Sequence, residues 1–357
     1  MIASKTKIAL AVALVATALS AQAEGFNFYA LIDGGIANTS LGSGGTSKTE
    51  FVTGGYAPTF MGITAEKSLD KGMTGGIKLE QGFLLTGKTK FGQYGAFADG
   101  DSLFNREANL YLKGDFGKVI VGTQGNIAFA TGVLTGEPRA GSNFGSALAP
   151  IDLSGGLGTV DSGAISYTAN PSNGLGYGVQ FVPENDSQKS GARAALSYSA
   201  NQMGLGVAYY TNTSATNSNK TSGAVGSGFY KVDAITVKGI LAQQSVDSNT
   251  YSQAFSKLIT MGMGGSMAVS PATTLDLGVY STTDSKTNYK LFQVGVGAQY
   301  KFLKDLTFYA QYAYAQNRGT VAAPFNYAGP SSTQLTSTIA GNQTANTINL
   351  GFLYGFF

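Results

Sequence analysis

The chain has 357 residues, with 50 glycines, 19 tyrosines and 21 phenylalanines, and only 12% of its residues are charged. It contains no cysteine and no histidine. Disulfides, thiolate ligands, Ser-His-Asp catalysis and histidine-held zinc are therefore excluded. The formal net charge of +3 argues against a nucleic-acid partner, because nucleic-acid binding relies on a strong excess of basic side chains.

The first 23 residues have the pattern of a secretory signal peptide. Lys5 and Lys7 form the basic start, an apolar run follows over 8–19, and Ala21-Gln22-Ala23 has the form of a cleavage site. The apolar run is shorter than the about 20 residues that a membrane-spanning helix needs. We therefore expect a signal peptide over 1–23 and a single mature domain over 24–357.

After the signal, segments of about ten residues alternate between apolar and small or polar side chains, which predicts strands. The alternation is clearest in 291–302, where Phe292 and Val294 share one parity and Gln293 and Gly295 the other. A soluble β-sandwich would fill its inner face with valine, leucine and isoleucine. A polar inner face and an apolar outer face instead favour a water-filled barrel in a membrane.

The connections between these segments have two lengths that alternate. The short ones are 70–72, 115–117, 170–173, 200–203, 271–273 and 303–305. The long ones, rich in Gly, Ser, Thr and Asn, are 38–58, 86–102, 125–160, 213–226 and 317–343. Short turns at one rim and long loops at the other are typical of outer-membrane barrels. The count of segments is about sixteen, and it is least certain over 229–245, where no clear turn divides the alternation.

Two stretches resemble the general porins of Gram-negative bacteria. Residues 62–83, GITAEKSLDKGMTGGIKLEQGF, resemble the second and third strands of that family. Residues 103–124, LFNREANLYLKGDFGKVIVGTQ, resemble its fourth strand, D-F-G turn and fifth strand. The opening over 29–33 and the terminal Phe357 also agree. The middle of the chain is similar in pattern rather than in motif.

The resemblance implies an all-β fold: a 16-stranded antiparallel transmembrane β-barrel whose third external loop, here 125–160, folds inward. It implies a passive channel for small hydrophilic solutes and ions, without enzymatic activity, cofactor or metal. The implied location is the outer membrane of a Gram-negative bacterium, in contact with its lipid and as a homotrimer. Phe357 would be the signal that the barrel assembly machinery reads, or simply a packed end residue.

In that family, acidic residues of the third loop face basic residues of the barrel wall across the narrowest point. The loop here offers Glu137 and Asp152, and Arg106 matches the arginine of an F-N-R segment. Lys78, Glu80 and Arg193 take the polar parity of their strands. The expected pore constriction is therefore formed by Glu137, Asp152, Arg106, Lys78, Arg193 and Glu80.

The chain departs from the family at two positions. Phe60 and Thr123 stand where relatives often carry arginine, which should weaken any anion preference. Inward-facing Tyr29, Tyr280 and Tyr309 leave open a stacking track for sugars.

Three other classes of function are compatible with a barrel. They are a substrate-selective channel of the same fold, a barrel enzyme, and a non-conducting structural or adhesive barrel. The lack of histidine disfavours an enzyme. An energised receptor would need a plug and 22 strands, for which the chain is too short.

Overall fold

The structure is a computed structural model. It describes residues 25–42, 47–85, 103–139, 142–154, 157–171, 173–184, 188–214, 220–247, 256–284, 286–326 and 338–356. The predicted signal peptide over 1–23, the predicted loop 86–102 and Phe357 lie outside the described residues.

Sixteen antiparallel strands form one closed barrel, as the alternation predicted. The strands are β1 Gly25–Leu41, β2 Ser47–Thr53 continued by Phe60–Ser68, β3 Thr74–Gly82, β4 Glu107–Gly114, β5 Gly117–Gly125, β6 Val160–Ala169, β7 Leu175–Val182, β8 Gln188–Ser199, β9 Met203–Ser214, β10 Lys220–Val232, β11 Ile235–Asp247, β12 Lys257–Ala268, β13 Thr273–Asp284, β14 Tyr289–Lys301, β15 Leu306–Asn317 and β16 Thr344–Phe356. Each strand pairs with the next, and β16 also pairs with β1, which closes the ring.

The uncertain stretch 229–245 divides at Asp233 and Ala234. Val232 pairs with Ile235, so only two residues connect β10 to β11. Asp233 has a φ of 50°, a left-handed conformation that aspartate tolerates better than most residues. An isolated aspartate is a weaker turn signal than a Gly-containing pair, which is why the sequence alone did not locate this turn.

The second strand is interrupted. Residues Ser47–Thr53 pair with the upper part of β1, and Phe60–Glu66 pair with its lower part. Residues 54–59 leave the ladder between the two halves. The predicted loop 38–58 was therefore wrong, because small polar residues such as Asn38 and Thr49 continue the hairpin and hydrogen-bond across it at 2.7 Å.

Side chains alternate strictly between two environments. Leucine, valine, methionine and aromatic side chains of the outward parity are exposed, with Met263 at 71% and Leu110 at 63%. The inward parity carries buried polar groups such as Gln293, Gln311 and Asn349. Exposed apolar area on this scale is unfavourable in water, but a bilayer requires it.

Several inward tyrosine rings lie over a glycine of a neighbouring strand. A Cβ atom added at Gly62 would lie 2.5 Å from Cζ of Tyr29, and one at Gly351 would lie 2.4 Å from Cζ of Tyr309. Tyr111 covers Gly76 in the same way. The absent glycine side chains give these rings room to lie along the wall.

In the described ranges, the helical elements are a 3₁₀ turn, Asp70–Gly72, and two π-helical turns, Phe129–Val133 and Ala149–Ser154. A two-residue ribbon pairs Ala323–Pro324 with Thr338–Ile339. Among the described residues, no helix is both long and apolar enough to cross a membrane.

The two faces of β8 provide a direct test of the alternation. Leu196 is 51% exposed on the outward face, and Ser197 is its inward neighbour. We expect Leu196→Arg to lower the free energy of unfolding by about 2 kcal/mol, because a lipid-facing arginine is costly. The matched variant Ser197→Arg should change it by less than about 1 kcal/mol. Far-UV circular dichroism during urea unfolding in lipid vesicles measures both. Equal losses would contradict the assigned faces.

Candidate functional site

The segment 126–154, between β5 and β6, is fixed at both ends by side-chain hydrogen bonds. Asn126 Oδ1 accepts the backbone N–H groups of Ala128 and Phe129 at 2.9 and 3.1 Å. Its Nδ2 donates to the carbonyl of Leu157 at 2.9 Å. Gln180 Oε1 on β7 accepts the N–H of Ile127 at 3.0 Å. These bonds satisfy the donors at the start of a helical turn and hold the two ends of the segment together.

The first half of the segment packs against inward residues of β9 and β10. Ser227 Oγ accepts the N–H of Gly136 at 2.8 Å and donates to the carbonyl of Val133 at 3.2 Å. A Cβ atom at Gly136 would lie 2.0 Å from the backbone nitrogen of Gly228. Glycine is therefore required where the segment backbone meets the strand backbone.

The second half is held by a buried arginine. Arg139 is 2% exposed, and its Nε donates to Asp276 Oδ1 on β13 at 2.5 Å. Its Nη2 donates to Gln311 Oε1 on β15 at 3.0 Å, and its Nη1 donates to the carbonyl of Phe144. A buried cation with a carboxylate and two further acceptors is well satisfied. The segment is thus attached to strands far from its own ends.

Glu137 and Asp152, predicted to line the constriction, are both buried. Glu137 Oε1 accepts the N–H of Ala147 at 3.1 Å, and Asp152 Oδ1 accepts the N–H of Gly158 at 2.8 Å. Burial raises the pKa of Glu137, and the Tyr280 hydroxyl, the Ala147 N–H and Arg139 oppose that rise. Both carboxylates therefore stabilise the internal structure of the segment.

Residues 54–59, which interrupt β2, form a second segment that reaches across to β14 and β15. Asp33 Oδ2 accepts the N–H groups of Tyr56 and Ala57 at 2.7 and 2.6 Å, and its Oδ1 accepts the Tyr309 hydroxyl at 2.6 Å. The Tyr56 and Tyr309 rings are 5.6 Å apart. Gln299 Nε2 donates to the Tyr56 hydroxyl at 2.7 Å. Burial raises the pKa of that hydroxyl to about 12, so it stays neutral.

Gln311 joins the two segments. Its Oε1 accepts from Arg139 and from the Ser142 hydroxyl of segment 126–154. Its Nε2 donates to the carbonyl of Gly55 at 3.1 Å. Asn143 Nδ2 also donates to the carbonyl of Gly54, so the segments contact each other directly.

A third segment, 321–326, meets the same cluster. Asn326 forms a β-bridge with Phe144, and its Nδ2 donates to Thr347 Oγ1 on β16 at 3.1 Å. Gln293 Nε2 on β14 donates to the carbonyl of Phe325 at 3.1 Å. Three separate parts of the chain therefore pack together against the inward parity of β9–β16.

Facing them on the opposite side of the ring is a set of polar side chains that we name the charged wall: Tyr29, Lys78, Glu80, Arg106 and Glu107. Arg106 Nε donates to Glu80 Oε1 at 2.6 Å, and the Tyr29 hydroxyl donates to Glu80 Oε2 at 2.8 Å. Lys78 Nζ lies 3.6 Å from Glu80 and 3.3 Å from Glu107. The Lys78 side chain remains 32% exposed, so the wall stays accessible to solvent.

Arg106 precedes β4 and so does not follow its alternation. Leu110 is outward, and Asn109 and Tyr111 are inward. Arg106 therefore reaches Glu80 inside the barrel although it shares the sequence parity of the outward Leu110. The Arg106 guanidinium lies 4.7 Å from the ring centre of Phe60. From the sequence, Phe60 was notable only because relatives often carry arginine at that position.

Arg193 on β8 forms a separate ion pair with Asp161 on β6. Its Nη2 and Nε donate to Asp161 at 2.7 and 3.1 Å, and its Nη1 donates to the carbonyl of Thr211 at 2.8 Å. Both side chains of the pair are buried. The structure therefore brings together Lys78, Glu80 and Arg106, but places Arg193 apart from them.

Comparison with known proteins identifies the family. The family model of Gram-negative porins matches residues 9–320. The chain is a Gram-negative porin. As a member of that family it lies in the outer membrane of a Gram-negative bacterium and acts as a passive diffusion channel.

Solved structures agree with this porin in fold. The anion-selective porin from Comamonas acidovorans is 14% identical with a TM-score of 0.77, covering 93% of this chain and 99% of that one. OmpT of Vibrio cholerae in its trimer form is 14% identical, with a TM-score of 0.66 and coverage of 93% and 99%. OmpF of Salmonella typhi in complex with daunomycin is 14% identical, with a TM-score of 0.64 and coverage of 93% and 97%. No curated protein matches the chain.

Sequence reasoning found the charged residues of this porin but missed the partners of several. Asp276, Gln311 and residues 54–59 carried no signal of a site. Their roles depend on contacts between parts of the chain more than 100 residues apart, such as Arg139 with Asp276. Within the described ranges, no group of three carboxylates is placed to hold a metal ion.

The raised pKa of Glu137 predicts a pH dependence. The unfolded carboxyl titrates near its ordinary pKa of about 4.3, so above that pH the unfolded state releases its proton first. Wild-type stability should therefore fall as pH rises from the ordinary to the raised value. Glu137→Gln should make this fall smaller, and Glu50→Gln, which removes a partly exposed carboxyl, should leave it as in the wild type. Urea unfolding at a series of pH values measures the difference. A parallel decline in wild type and Glu137→Gln would refute it.

Proposed function

We propose that small hydrophilic solutes and ions pass between the charged wall and segment 126–154, which folds into the barrel and narrows it. The observation that supports this proposal is a difference in burial between the charged wall and segment 126–154. The charged wall is partly exposed, whereas the segment is packed on the inward parity of β9–β15. What remains open is bordered by hydrogen-bonding groups, so a hydrated solute keeps favourable contacts on entry.

We expect the ion selectivity to depend on β3 and β4, because the charged wall supplies both signs of charge there. Lys78 and Arg106 alternate with Glu80 and Glu107 within 3.6 Å. A second row lies nearer the short-turn rim, where Lys113 Nζ is 2.7 Å from Glu66 and Lys118 Nζ lies 4.1 Å from the Tyr111 ring centre. The two rows hold one more cation than anion, which favours a weak anion preference, since charge on a pore lining biases ion selectivity.

The constriction we propose is built by three segments, not by the third loop alone. Residues 54–59 and 321–326 contact segment 126–154 through Gln311, Asn143 and Phe144. Segments that support one another are held more rigidly than a single loop, because each removes freedom from the others. A rigid constriction gives a fixed size limit for solutes.

We further propose a homotrimer. OmpT of Vibrio cholerae, similar in fold, has a trimer form, and the early strands of this porin expose Phe26, Phe28 and Ile36 outward. Residues 1–23 would direct export and be removed from the mature porin, which assembly machinery that reads Phe357 would insert into the lipid bilayer. No bond-making chemistry is required of any of these residues.

Single-channel recording in a planar bilayer tests the function. Conductance steps in groups of three are expected for an open trimer. In asymmetric salt, the reversal potential should have the sign of an anion-selective channel. Folded protein that conducts no current would point instead to a structural or adhesive barrel.

Charge removal on the wall tests where selectivity lies. Glu107→Gln and Glu80→Gln should shift the reversal potential toward anions, and Arg106→Gln should shift it toward cations. Glu137→Gln and Asp152→Asn are the matched controls, because their carboxylates are buried within the segment. Circular dichroism confirms folding of each variant. A shift in the controls with none in the wall variants would place the constriction on the segment instead.

Gln311→Ala tests the contact between segments. It leaves Arg139 Nη2, Ser142 Oγ and the Gly55 carbonyl without this partner, which should lower stability by about 2 kcal/mol. The segments should loosen, so single-channel conductance should rise and become noisier. Gln243→Ala, on the exposed outward parity of β11, should leave both quantities unchanged. An unaltered conductance in Gln311→Ala would show that the segments do not depend on each other.

A further inference from the structure

Segment 126–154 presents no charge to the interior of the barrel. Its charged residues are Glu137, Arg139 and Asp152, and all three are buried. Each of them is engaged by the segment itself or by the strands behind it. A solute that passes this segment therefore meets neither a cation nor a carboxylate on that side.

The first turn of the segment exposes apolar side chains instead. Leu134 is 41% exposed, and Ala130, four residues earlier, is exposed as well. Residues four apart lie on one face of a helical turn. Val133, on the opposite face, is fully buried in a cluster with Ala208 and Val225 of the barrel wall. Leu134 thus points away from the wall and into the water inside the ring.

Two inward aromatic rings lie on the other side of the ring of strands. Eight strands separate β1 and β2 from β9 and β10, so in a ring of sixteen the two pairs lie opposite each other. Tyr29 on β1 and Phe60 on β2 have ring centres 6.1 Å apart and planes at 72°, the edge-to-face geometry that aromatic pairs prefer. Both side chains are partly exposed. The passage is therefore flanked by apolar groups on both sides.

The aromatic pair carries its own cations. The Arg106 guanidinium lies 4.7 Å from the ring centre of Phe60, and Lys78 Nζ lies 6.0 Å from the ring centre of Tyr29. The Lys78 side chain is the most exposed charged group of the charged wall. An ammonium or guanidinium group beside a ring can bind an anion while the ring contacts the body of the same solute.

The carboxylates of the charged wall are already occupied. Glu80 is buried and accepts from Arg106, Tyr29 and Lys78. Glu107 Oε1 accepts Lys78 Nζ at 3.3 Å, and its Oε2 accepts Asn109 Nδ2 at 2.5 Å. The groups that remain most accessible here are thus cationic and aromatic, which favours a solute with an anionic group over one with a cationic group.

We propose that the passage binds small aromatic carboxylates in preference to other solutes of their size. The carboxylate lies between Lys78 and Arg106, and the ring contacts Phe60 and faces Leu134 across the passage. The contact with Phe60 and Tyr29 adds a third ring to an edge-to-face pair. This inference rests on the proposed passage between the charged wall and segment 126–154 and names the class of solute that the passage selects.

Two related solute classes fit the site less well. An aliphatic ring acid keeps the charge but lacks the ring edge and face that Phe60 and Tyr29 recognise. A neutral aromatic amide keeps the ring but leaves Lys78 without an anion. Benzoate, cyclohexanecarboxylate and benzamide are nearly equal in size and represent the three cases, so size exclusion does not separate them.

Block of the chloride current through single channels tests the proposal. Each probe is added to both sides of the bilayer at neutral pH, and the concentration that halves the current is measured. Benzoate should need at least about threefold less than cyclohexanecarboxylate, given the energy of an aromatic pair. It should need at least about tenfold less than benzamide, given the strength of a hydrogen bond to a charged group. Equal values for benzoate and cyclohexanecarboxylate would overturn the proposal.

Variants assign the preference to its residues. Phe60→Leu keeps an apolar side chain without the ring, so benzoate and cyclohexanecarboxylate should then differ by less than about twofold. Phe51→Leu, which removes an outward ring of the same strand, should keep the wild-type ratio. Lys78→Gln should weaken benzoate but not benzamide, whereas Lys67→Gln, exposed at the end of β2, should change neither. A wild-type ratio in Phe60→Leu would show that the ring does not select the solute.

Saturation-transfer NMR keeps this inference separate from the channel function. It measures contact between each probe and the folded porin in detergent, and it needs no current. A preference for benzoate that is lost in Phe60→Leu would support the site even if the bilayer stayed silent, in which case only the proposed conduction would fail. An open channel with no preference in either measurement would leave the porin function intact and refute the aromatic site.

Discussion

Closure of the strand ring is the constraint on which the rest of this porin depends. In hydrocarbon, each unpaired backbone N–H or carbonyl group costs several kcal/mol, so a spanning sheet can have no free edge. The pairing of Ala30–Leu41 in β1 with Ala345–Phe356 in β16 removes the last edge. Once the ring is closed, every residue of a strand faces either lipid or the interior, and the strict alternation of side chains follows.

The closed barrel has no single central core: buried apolar side chains form two clusters, where segments 126–154 and 321–326 pack on the strands, and polar contacts must organise the rest of the interior. Each half of the barrel meets this demand differently. On the β9–β16 side, inward-packed chain covers the wall, and Arg139 is buried with Asp276. On the β3–β4 side, Glu80 is buried, whereas its partners Lys78 and Arg106 remain partly in water. Removing one partner of a buried pair is far more costly than removing one of an exposed pair. Lys78 and Arg106, the partly exposed members of the charged wall, are therefore the charges that can change with the least loss of stability.

Local sequence pattern was enough to predict the strands, because alternation depends only on which face meets lipid. The inward parity of Lys78 and Glu80 followed from Ile77 and Leu79 beside them. The break in β2 did not follow, since Gly54, Gly55 and Pro58 are equally typical of the external loop to which they were assigned.

The sequence also could not predict which interior side chains are buried, because their burial depends on contacts between distant parts of the chain. Glu137 and Asp152 were correctly assigned to the connection after β5, but their burial depends on segments that are distant in sequence. Arg193 was assigned to the constriction from its parity alone, whereas its partner Asp161 holds it on β6 and β8, apart from the charged wall. Parity indicates the direction of a side chain but not what covers it. Which of the six residues border the passage stays a prediction.

The tyrosines that lie on glycines have a consequence for how the calibre of such a channel evolves. Tyr29 occupies the space beside the Cα of Gly62, and Tyr111 that beside the Cα of Gly76, so each ring uses room that a side chain on the glycine would fill. An alanine in place of either glycine would collide with the ring and tilt it away from the wall. The smallest possible enlargement of a side chain on one strand would thus move the largest side chain of its neighbour into the water path. Passage width is in this way set by residues that never touch a solute.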